Sequence, residues 1–366
     1  MQDEVFMRMA LREARKGLGR TSPNPCVGAV VVKNGRVLGK GWHRAAGLPH
    51  AEVEAVRDAE HNGHSVRGAT LYVTLEPCST WGRTPPCAGL IVEKGIRHVV
   101  AGATDPNPRH RGKGLHWLKK MGVRVTDGVL ERECLNLNRG WNHWIVNRTP
   151  WVIAKCGMTL DGKIATAQQE SKWITGAGAR QEAQRLRSRV DAILVGINTV
   201  LADDPSLTVR LPGYHGKQPW RVALDAKGRI PLKSRLVQGN EDGRTWIFVS
   251  KNTSQRRVRQ LLEQGIKVSR VNERNGRLNV AAVLKGLGDA GIVNLLVEGG
   301  GGVLGSFLDE QCIHEVCLFV APMILGGKGS VKAFGGKGVL KWSESAKISE
   351  CQVFKIKKDL IVKGFI

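Results

Sequence analysis

The chain has 366 residues, of which 42% are hydrophobic and 24% are charged, and its formal net charge is +24. This length exceeds one ordinary core, so two domains are expected, and the lack of a long uncharged apolar run argues against a transmembrane helix. Residues 1–4 are acidic and do not resemble a secretion signal, and eight scattered cysteines are typical of a reducing compartment. We therefore expect a cytoplasmic globular protein.

The positive charge permits an anionic partner but does not identify one. The densest basic runs, residues 108–113 and 255–259, are not interleaved with aromatic residues, which make up only 5% of the chain. Proteins that bind single-stranded nucleic acid usually stack bases on aromatic side chains. We expect phosphorylated small molecules as partners, with no nucleic acid and no membrane.

Helix and strand patterns alternate through the first part of the chain. A helical spacing is followed by a Pro-Asn-Pro turn, and Asn34-Gly35 is typical of a two-residue hairpin turn. Such alternation predicts an α/β/α layered domain. Helices are predicted at 3–16, 50–59, 88–94 and 114–121, and strands at 27–32, 36–41, 69–75, 98–103 and 123–126.

Four residues at the ends of these elements indicate zinc chemistry: His50, Glu52, Cys78 and Cys87. One His and two Cys are ligands that zinc prefers, and three protein ligands leave a fourth position for water, as in catalytic sites. Glu52, two residues from His50, is placed to move a proton from that water to a leaving amine. A structural zinc is less favoured because a fourth ligand is missing nearby. His43 is the nearest spare candidate, and we expect it to face the substrate or the solvent.

A second α/β domain is predicted after the break at Thr149-Pro150, which divides the chain into residues 1–147 and 148–366. The hydrophobic runs and turn residues define its elements. Strands are predicted at 151–156, 192–196, 221–225, 245–250, 267–271, 294–297 and 315–321, and helices at 182–190, 255–264, 280–289 and 303–308.

The sharpest local pattern in this half is residues 297–305 (VEGGGGVLG), where a strand leads through glycines into a helix. Backbone N–H groups at a helix N-terminus bind phosphate. Gly300, Gly302 and Gly305 match a dinucleotide fingerprint, but the acidic residue that the fingerprint requires further on is missing. A loop without a ligand therefore remains an alternative.

Several charged residues in this half suit a phosphorylated ligand. Arg187 and Arg210 can each bind a phosphate through paired hydrogen bonds, although a single arginine is more often a solvated surface residue. Lys155 lies within an apolar strand, and Glu298 ends a buried one, where a carboxylate needs a partner. Glu298 could bind ribose hydroxyls or assist proton transfer.

The first half resembles the zinc-dependent cytidine deaminase superfamily. The eight residues 79–86 (STWGRTPP) between the cysteines, together with 23–28 (PNPCVG) and 105–108 (DPNP), are similar to the deaminase domain of the bifunctional riboflavin-biosynthesis deaminase/reductase family. Position 80 is often His in that family and is Thr here. The second half resembles the reductase domain of the same family through residues 155–162, 171–175, 186–188, 195–210 and the glycine segment. That domain is similar to dihydrofolate reductase and not to a Rossmann domain.

The resemblance implies a cytidine-deaminase-like α/β/α domain joined to a dihydrofolate-reductase-like α/β domain. It implies deamination of 2,5-diamino-6-ribosylamino-4(3H)-pyrimidinone 5′-phosphate, then NADPH-dependent reduction of the ribosyl group of 5-amino-6-(5-phosphoribosylamino)uracil to ribityl. A homo-oligomer, either a dimer or a tetramer, is also implied. The implied zinc ligands are His50, Cys78 and Cys87, with Glu52 as the catalytic residue. The implied NADPH-binding residues are Gly157, Trp173, Thr199, Asp203, Gly300, Gly301, Gly302, Val303, Leu304, Gly305 and Ser306, and the implied substrate-binding residues are Asn24, His43, Lys155, Ser171, Arg187, Leu207, Arg210 and Glu298.

Three alternatives share part of this pattern. A tRNA-editing adenosine deaminase would have the same zinc residues and would suit the basic charge, but it lacks the long spacer and leaves the second half unexplained. A nucleic-acid-binding protein with a non-catalytic zinc would show a steep salt dependence of RNA binding. A chain with only one active domain is the third alternative.

Overall fold

The computed structural model describes residues 2–81 and 85–366. Residues 82–84 of the predicted spacer between Cys78 and Cys87 lie outside the described residues. The chain divides into two compact units, Met1–Arg148 and Thr149–Ile366. Within the described ranges, no helix combines the length and the apolar character needed to cross a membrane.

The first unit is built on a five-stranded sheet with the order β2-β1-β3-β4-β5. Strand β1 is antiparallel to β2 and β3, whereas β4 and β5 continue parallel to β3. Its helices are α1 (Gln2–Arg15), α2 (Ala51–His61), α3 (Cys87–Glu93), α4 (Lys113–Lys120), α5 (Glu131–Leu137) and α6 (Arg139–Asn147), and its strands are β1 (Gly28–Lys33), β2 (Arg36–Trp42), β3 (Thr70–Leu75), β4 (His98–Ala103) and β5 (Arg124–Thr126).

The parallel pairing of β3 and β4 decides where the functional residues of this unit meet. Leu75 pairs with Ala103, so the two strands end side by side. The segments that follow them, which begin with Glu76 and with residue 104, therefore leave the same edge of the sheet. Crevices at the carboxyl ends of parallel strands are where α/β proteins commonly bind ligands.

The second unit contains a nine-stranded sheet with the order β11-β10-β9-β8-β14-β6-β15-β18-β17. Its strands are β6 (Trp151–Thr159), β7 (Lys163–Ala165), β8 (Ala192–Gly196), β9 (Trp220–Leu224), β10 (Thr245–Ser250), β11 (Lys267–Val271), β12 (Glu273–Arg274), β13 (Arg277–Leu278), β14 (Asn294–Val297), β15 (Glu315–Ala321), β16 (Val331–Lys332), β17 (Ser349–Ile356) and β18 (Asp359–Phe365). Its α-helices are α7 (Ala177–Arg187), α8 (Ile197–Asp203), α9 (Arg235–Gln238), α10 (Gln255–Glu263), α11 (Val280–Asp289) and α12 (Gly301–Asp309).

The first seven strands in this order are parallel, and the hairpin β17–β18 extends the sheet in the antiparallel direction. Central strand β8 is buried along its whole length because helices cover both faces of a parallel sheet. Apolar clusters lie on the two faces of this sheet. Edge strand β17 is mostly exposed.

One predicted helix differs from the structure in its bounds, and several elements, including α5, α6 and the hairpin β17–β18, were not predicted. The helix predicted at 182–190 begins earlier and ends earlier, as α7, because its first turn is made of small residues whose apolar spacing is weak. Helices α5 and α6 were not predicted, since few of their residues are buried. The hairpin β17–β18 was also missed, because β17 exposes both faces and so lacks the apolar alternation of a strand.

Candidate active sites

The residues expected to bind zinc converge in the first unit from three separate segments. His50 is the N-cap of α2, Cys87 is the first residue of α3, and Cys78 lies three residues after β3. Two of the three therefore stand at helix N-termini, whose partial positive charge favours a thiolate over a thiol.

The distances between these side chains fit one metal ion. The Nδ1 atom of His50 lies 3.5 Å from Cys78 Sγ and 3.3 Å from Cys87 Sγ, and the three donor atoms all lie within 4.8 Å of one another. Zinc bonds of roughly 2.1 Å to nitrogen and 2.3 Å to sulfur, at a tetrahedral angle, place such atoms roughly 3.5 Å apart. The donor set, one nitrogen and two sulfurs, is also one that zinc prefers.

The two cysteines differ in acidity. Hydrogen bonds from the Cys87 thiol, from His50 and from the Cys87 backbone N–H lower the pKa of Cys78 to about 4, although burial opposes them. The pKa of Cys87 is raised, because its thiol donates to Cys78, is buried and lies next to Glu52. Binding of a divalent cation would favour the thiolate at both positions.

Glu52 lies in the first turn of α2 and is only 3% exposed. Burial raises the pKa of this carboxyl to about 7, with opposing contributions from His50 and from a hydrogen bond with Cys87. A group that titrates near neutrality can both accept and release a proton at physiological pH. The structure thus places an acid–base group directly beside the His50–Cys78–Cys87 cluster.

His43 does not face the solvent, contrary to one of the two expectations from the sequence. Its ring is 2% exposed and packs edge-on against His50, with 5.3 Å between ring centroids. Its Nδ1 atom lies 3.1 Å from the Pro49 carbonyl oxygen and its Nε2 atom 3.0 Å from the Asn24 side-chain nitrogen. Burial lowers the pKa of His43, so the ring is neutral, donates through Nδ1 and accepts from Asn24 through Nε2.

Residues after β4 border the zinc ligands. The hydroxyl of Thr80 contacts Nδ1 of His110 at 3.1 Å, and Asp105 follows the end of β4 closely. Burial raises the pKa of Asp105 to about 6, although a hydrogen bond from the Asn107 backbone N–H and the nearby His110 oppose it. His110 and Asp105 were not identified as site residues from the sequence; the DPNP segment at 105–108 contains Asp105 and ends two residues before His110.

A large cavity of about 1130 Å³ lies in the second unit, along the carboxyl ends of its central strands. Pockets for one small molecule usually enclose roughly 300–1,000 Å³, so this cavity has room for a cofactor together with a substrate. Most of the residues expected to bind NADPH or substrate line it: Lys155, Gly157, Ser171, Trp173, Arg187, Thr199, Asp203, Leu207, Arg210, Glu298, Gly300, Gly301, Gly302, Val303 and Ser306.

Leu304 and Gly305 do not line this cavity, although both were expected at the cofactor. Leu304 is 1% exposed and belongs to the apolar core beneath the sheet. Gly305 is pressed against the backbone of residues 335–336. Only one face of helix α12 borders the cavity, and Leu304 and Gly305 lie on its other faces.

The cavity has the chemistry of a site for anions. Nine basic side chains line it against three acidic ones, which are Asp203, Asp204 and Glu298. Helix α12 begins at its wall, and a hydrogen bond of 3.1 Å from Gly300 N–H to Thr199 Oγ1 joins that start to α8. Backbone N–H groups at a helix start, surrounded by positive charge, fit the pyrophosphate of a dinucleotide such as NADPH.

Glu298 is the most buried of these three acidic groups, with 8% of its side chain exposed, and it is paired. The Arg187 guanidinium donates to its two carboxylate oxygens at 2.7 and 2.8 Å, and Lys155 Nζ lies 3.7 Å away. Burial alone would raise the pKa of Glu298, but Arg187 and Lys155 outweigh it and lower the pKa to about 2. Glu298 is therefore an ionised hydrogen-bond acceptor, and the Arg187 fork is already engaged.

Other predicted residues are linked in the same cavity. Ser171 donates to Asp203 at 3.2 Å, so one expected substrate residue touches one expected cofactor residue. Trp173 is 71% exposed, and the guanidinium of Arg180 lies 4.5 Å from its ring centroid. Five further basic residues line the cavity that no sequence pattern had indicated: Arg180, Lys227, Arg229, Arg235 and Arg277.

Two family models match this chain, one in each of its two units. Residues 1–103 match the cytidine and deoxycytidylate deaminase zinc-binding region. Residues 150–362 match the RibD C-terminal domain, which accounts for more than half of the chain.

Whole-length relatives are also found. The chain is 41% identical to the riboflavin biosynthesis protein RibD of Actinobacillus pleuropneumoniae over 99% of this chain and 95% of that protein. It is 37% identical to RibD of Escherichia coli strain K12, over 98% and 96% of the two chains.

Among solved structures, Acinetobacter baumannii RibD (form 1) superposes with a TM-score of 0.89 at 35% identity, covering 100% of this chain and 98% of that one. A diaminohydroxyphosphoribosylaminopyrimidine deaminase/5-amino-6-(5-phosphoribosylamino)uracil reductase from Thermotoga maritima gives 0.87 at 37% identity, with coverage of 99% and 98%.

Proposed function

The chain belongs to the RibD family of bifunctional riboflavin biosynthesis enzymes, and on this premise we propose which of its residues carry out the deaminase and the reductase reactions. The family expected from the sequence is confirmed, as is the combination of a cytidine-deaminase-like domain with a RibD reductase domain. We assign deamination to residues 1–147 and reduction to residues 148–366.

The observation that carries the deaminase assignment is the position of Glu52 beside His50, Cys78 and Cys87. These three residues would hold zinc, which acts as a Lewis acid and lowers the pKa of a coordinated water. The substrate is 2,5-diamino-6-ribosylamino-4(3H)-pyrimidinone 5′-phosphate. Glu52 accepts a proton from the attacking water and delivers it to the exocyclic nitrogen. A carbon–oxygen bond forms, the carbon–nitrogen bond breaks, and ammonia leaves.

Asn24 and His43 are proposed to orient the pyrimidine in this site. The hydrogen bond between His43 Nδ1 and the Pro49 carbonyl fixes the ring next to His50. The contact between Asn24 and His43 in turn fixes the side-chain amide. An amide held in this way can offer both a donor and an acceptor to a pyrimidine edge.

The reductase reaction is assigned to the cavity that contains Lys155 and Glu298. NADPH supplies a hydride, and its pyrophosphate would lie at the start of α12. Reduction of the ring-opened ribosyl group also needs a proton, and we assign its delivery to Lys155, which Glu298 holds in the cavity. Because the Arg187 fork is engaged by Glu298, the substrate phosphate is assigned to Arg210, whose guanidinium is anchored by Ser206 at 2.5 Å.

The experiment supplies the purified chain with the diaminopyrimidine phosphate and follows ammonia release and NADPH absorbance separately. We expect ammonia release without NADPH, and NADPH oxidation only after the deaminated intermediate has formed or has been supplied. Failure to oxidise NADPH with that intermediate would overturn the reductase assignment, and failure to release ammonia would overturn the deaminase assignment.

We also propose a homo-oligomer in the cytoplasm. Leu340 and Trp342 are 99% and 92% exposed, and edge strand β17 offers unpaired backbone groups, which are typical of surfaces that meet another chain. All eight cysteines are free thiols, which suits a reducing compartment. Light scattering on the native chain and on Trp342→Ser tests the oligomeric state. Cell fractionation tests the cytoplasmic location.

A further inference from the structure

Glu76, two residues before Cys78, has no role in the chemistry described so far, yet its carboxylate is buried and fully engaged. It is 6% exposed and follows directly after β3. Three backbone N–H groups donate to it: Gly114 at 2.7 Å to Oε1, Gly112 at 2.9 Å to Oε2 and Asp105 at 3.0 Å to Oε2.

These three donors lie at the two ends of one segment, residues 105–114, which connects β4 to the first turn of α4. Gly112 is the N-cap of α4 and has a left-handed conformation, and it gives the helix no side-chain cap. Glu76 replaces that cap from another part of the chain, because its negative charge meets the free N–H groups of the helix start.

Residues 105–114 also lie very close to the Glu76-Pro77-Cys78 sequence that follows β3. A Cβ atom at Gly114 would lie 2.0 Å from the Pro77 carbonyl oxygen, so only glycine permits this approach. Thr80, two residues after Cys78, adds a contact to His110 in the middle of the segment.

Few other interactions hold the segment in place. Among the described residues, the remaining backbone hydrogen bonds of 105–112 run within the segment or to α4. Cys78, in contrast, is held by β3, whose end is bonded to β4, and by the backbone N–H of Cys87. Loss of the Glu76 carboxylate should therefore displace the segment and leave the metal ligands in place.

The segment also carries positive charge to the edge of the site. Arg109, Arg111 and Lys113 are exposed and form no ion pair within residues 2–81 and 85–366. Such charges attract a phosphorylated substrate to the cleft beside them. Their placement depends on Glu76 because Glu76 fixes both ends of the segment.

We propose that Glu76 is a positioning residue of the deaminase site, which clamps residues 105–114 beside the zinc-binding loop and so sets the affinity for the phosphorylated substrate. This inference rests on the proposed deaminase function. Two residues of the Glu76-Pro77-Cys78 sequence then have different roles: Cys78 binds the metal, and Glu76 positions residues 105–114 beside the substrate.

The test compares wild type, Glu76→Gln and Asp58→Asn. Asp58 is the control, because its carboxylate also accepts a backbone N–H, from Lys40 at 2.8 Å, but this bond joins α2 to β2 and does not involve residues 105–114. In Glu76→Gln the amide NH₂ meets backbone donors, and the loss of charge-assisted hydrogen bonds should raise the deaminase KM about tenfold or more, with a much smaller change in kcat. Asp58→Asn should leave both constants close to wild type.

Metal content and the absorption spectrum of the cobalt-substituted protein serve as readouts that do not depend on activity. Both should be the same in Glu76→Gln as in wild type. An unchanged KM, a loss confined to kcat, or a loss of bound metal would each overturn the proposal.

If Glu76→Gln fails to fold, hydrogen–deuterium exchange of the wild-type chain tests whether Glu76 holds residues 105–114 in place. Amides of Asp105, Gly112 and Gly114 should exchange slowly, as amides bonded to a buried carboxylate do, and rapid exchange across 105–114 would overturn the proposal. This measurement also separates the two hypotheses. A wild-type chain that releases no ammonia contradicts the proposed function, whereas the exchange result still decides the role of Glu76.

Discussion

The guanidinium of Arg187 holds both carboxylate oxygens of Glu298, at 2.7 and 2.8 Å, at the wall of the reductase cavity. The two residues are 111 positions apart in the chain and join the last turn of α7 to the end of β14. Because Lys155 approaches the same carboxylate, one negative charge balances two positive ones. This relationship organises the polar part of the cavity.

Glu298→Gln should abolish NADPH oxidation on the deaminated intermediate and leave ammonia release unchanged. Removal of one partner from a buried ion pair leaves an uncompensated charge and costs roughly 3–5 kcal/mol, so the second unit should also unfold at a lower temperature. The control is Glu182→Gln, which breaks partly exposed pairs with Arg185 and Lys363, each worth at most about 1 kcal/mol. Equal stability of the two variants would contradict the prediction.

The same pair predicts how stability depends on pH. The pKa of Glu298 is lowered from 4.5 to about 2 in the folded chain. Its contribution is therefore complete above about pH 4.5 and is lost as the pH falls towards 2, and it amounts to roughly 3 kcal/mol. Acid unfolding of wild type followed by near-ultraviolet circular dichroism should show this loss. Glu298→Gln should lack it, and identical pH slopes for the two proteins would refute the assignment.

Glu52→Gln should lower the rate of deamination by about 10²–10⁴-fold, because the variant cannot move protons between water and the leaving amine. Reduction of supplied deaminated intermediate and the metal content should not change. Glu54→Gln is the control on the same helix, since Glu54 pairs with Arg44 and Arg57 at the surface. Deamination that survives in Glu52→Gln would show that another group moves the proton.

Removal of metal should separate the two activities. A chelator should abolish ammonia release, and added zinc should restore it, because His50, Cys78 and Cys87 are the proposed ligands. NADPH oxidation on the deaminated intermediate should continue, since the reductase cavity offers no comparable group of donors among the described residues. A parallel loss of both activities would indicate that the metal also supports the second unit.

Much of this architecture was predictable, because buried strands such as β8 are continuous apolar runs and the proposed zinc ligands have a distinctive spacing. Local patterns could not predict contacts between distant segments. The three hydrogen bonds to Glu76 join positions 29 to 38 residues apart, and nothing in their own sequence reveals them. For the same reason the sequence could not show that the Arg187 fork is occupied by Glu298, or that His43 is buried against His50.

The start of α12 offers a comparison between two adjacent glycines. A Cβ atom at Gly301 would lie 2.1 Å from the Lys332 carbonyl oxygen, whereas a Cβ atom at Gly302 would meet nothing within 4 Å. Gly301→Ala must therefore displace either the helix start or residues 331–333, at a cost of roughly 1–3 kcal/mol. Gly302→Ala should instead stabilise the helix by about 0.5–1 kcal/mol, because alanine has the higher helix propensity.

Thermal unfolding without cofactor should thus rank Gly301→Ala below wild type and Gly302→Ala at or above it. Because Gly301 and Val331 both line the cavity, the displacement in Gly301→Ala should also raise the KM for NADPH, by about tenfold if one hydrogen bond to the pyrophosphate is lost. Deamination, which belongs to the other unit, serves as the internal control. If the two alanine variants unfold at the same temperature, the close approach of Lys332 to α12 does not constrain the helix.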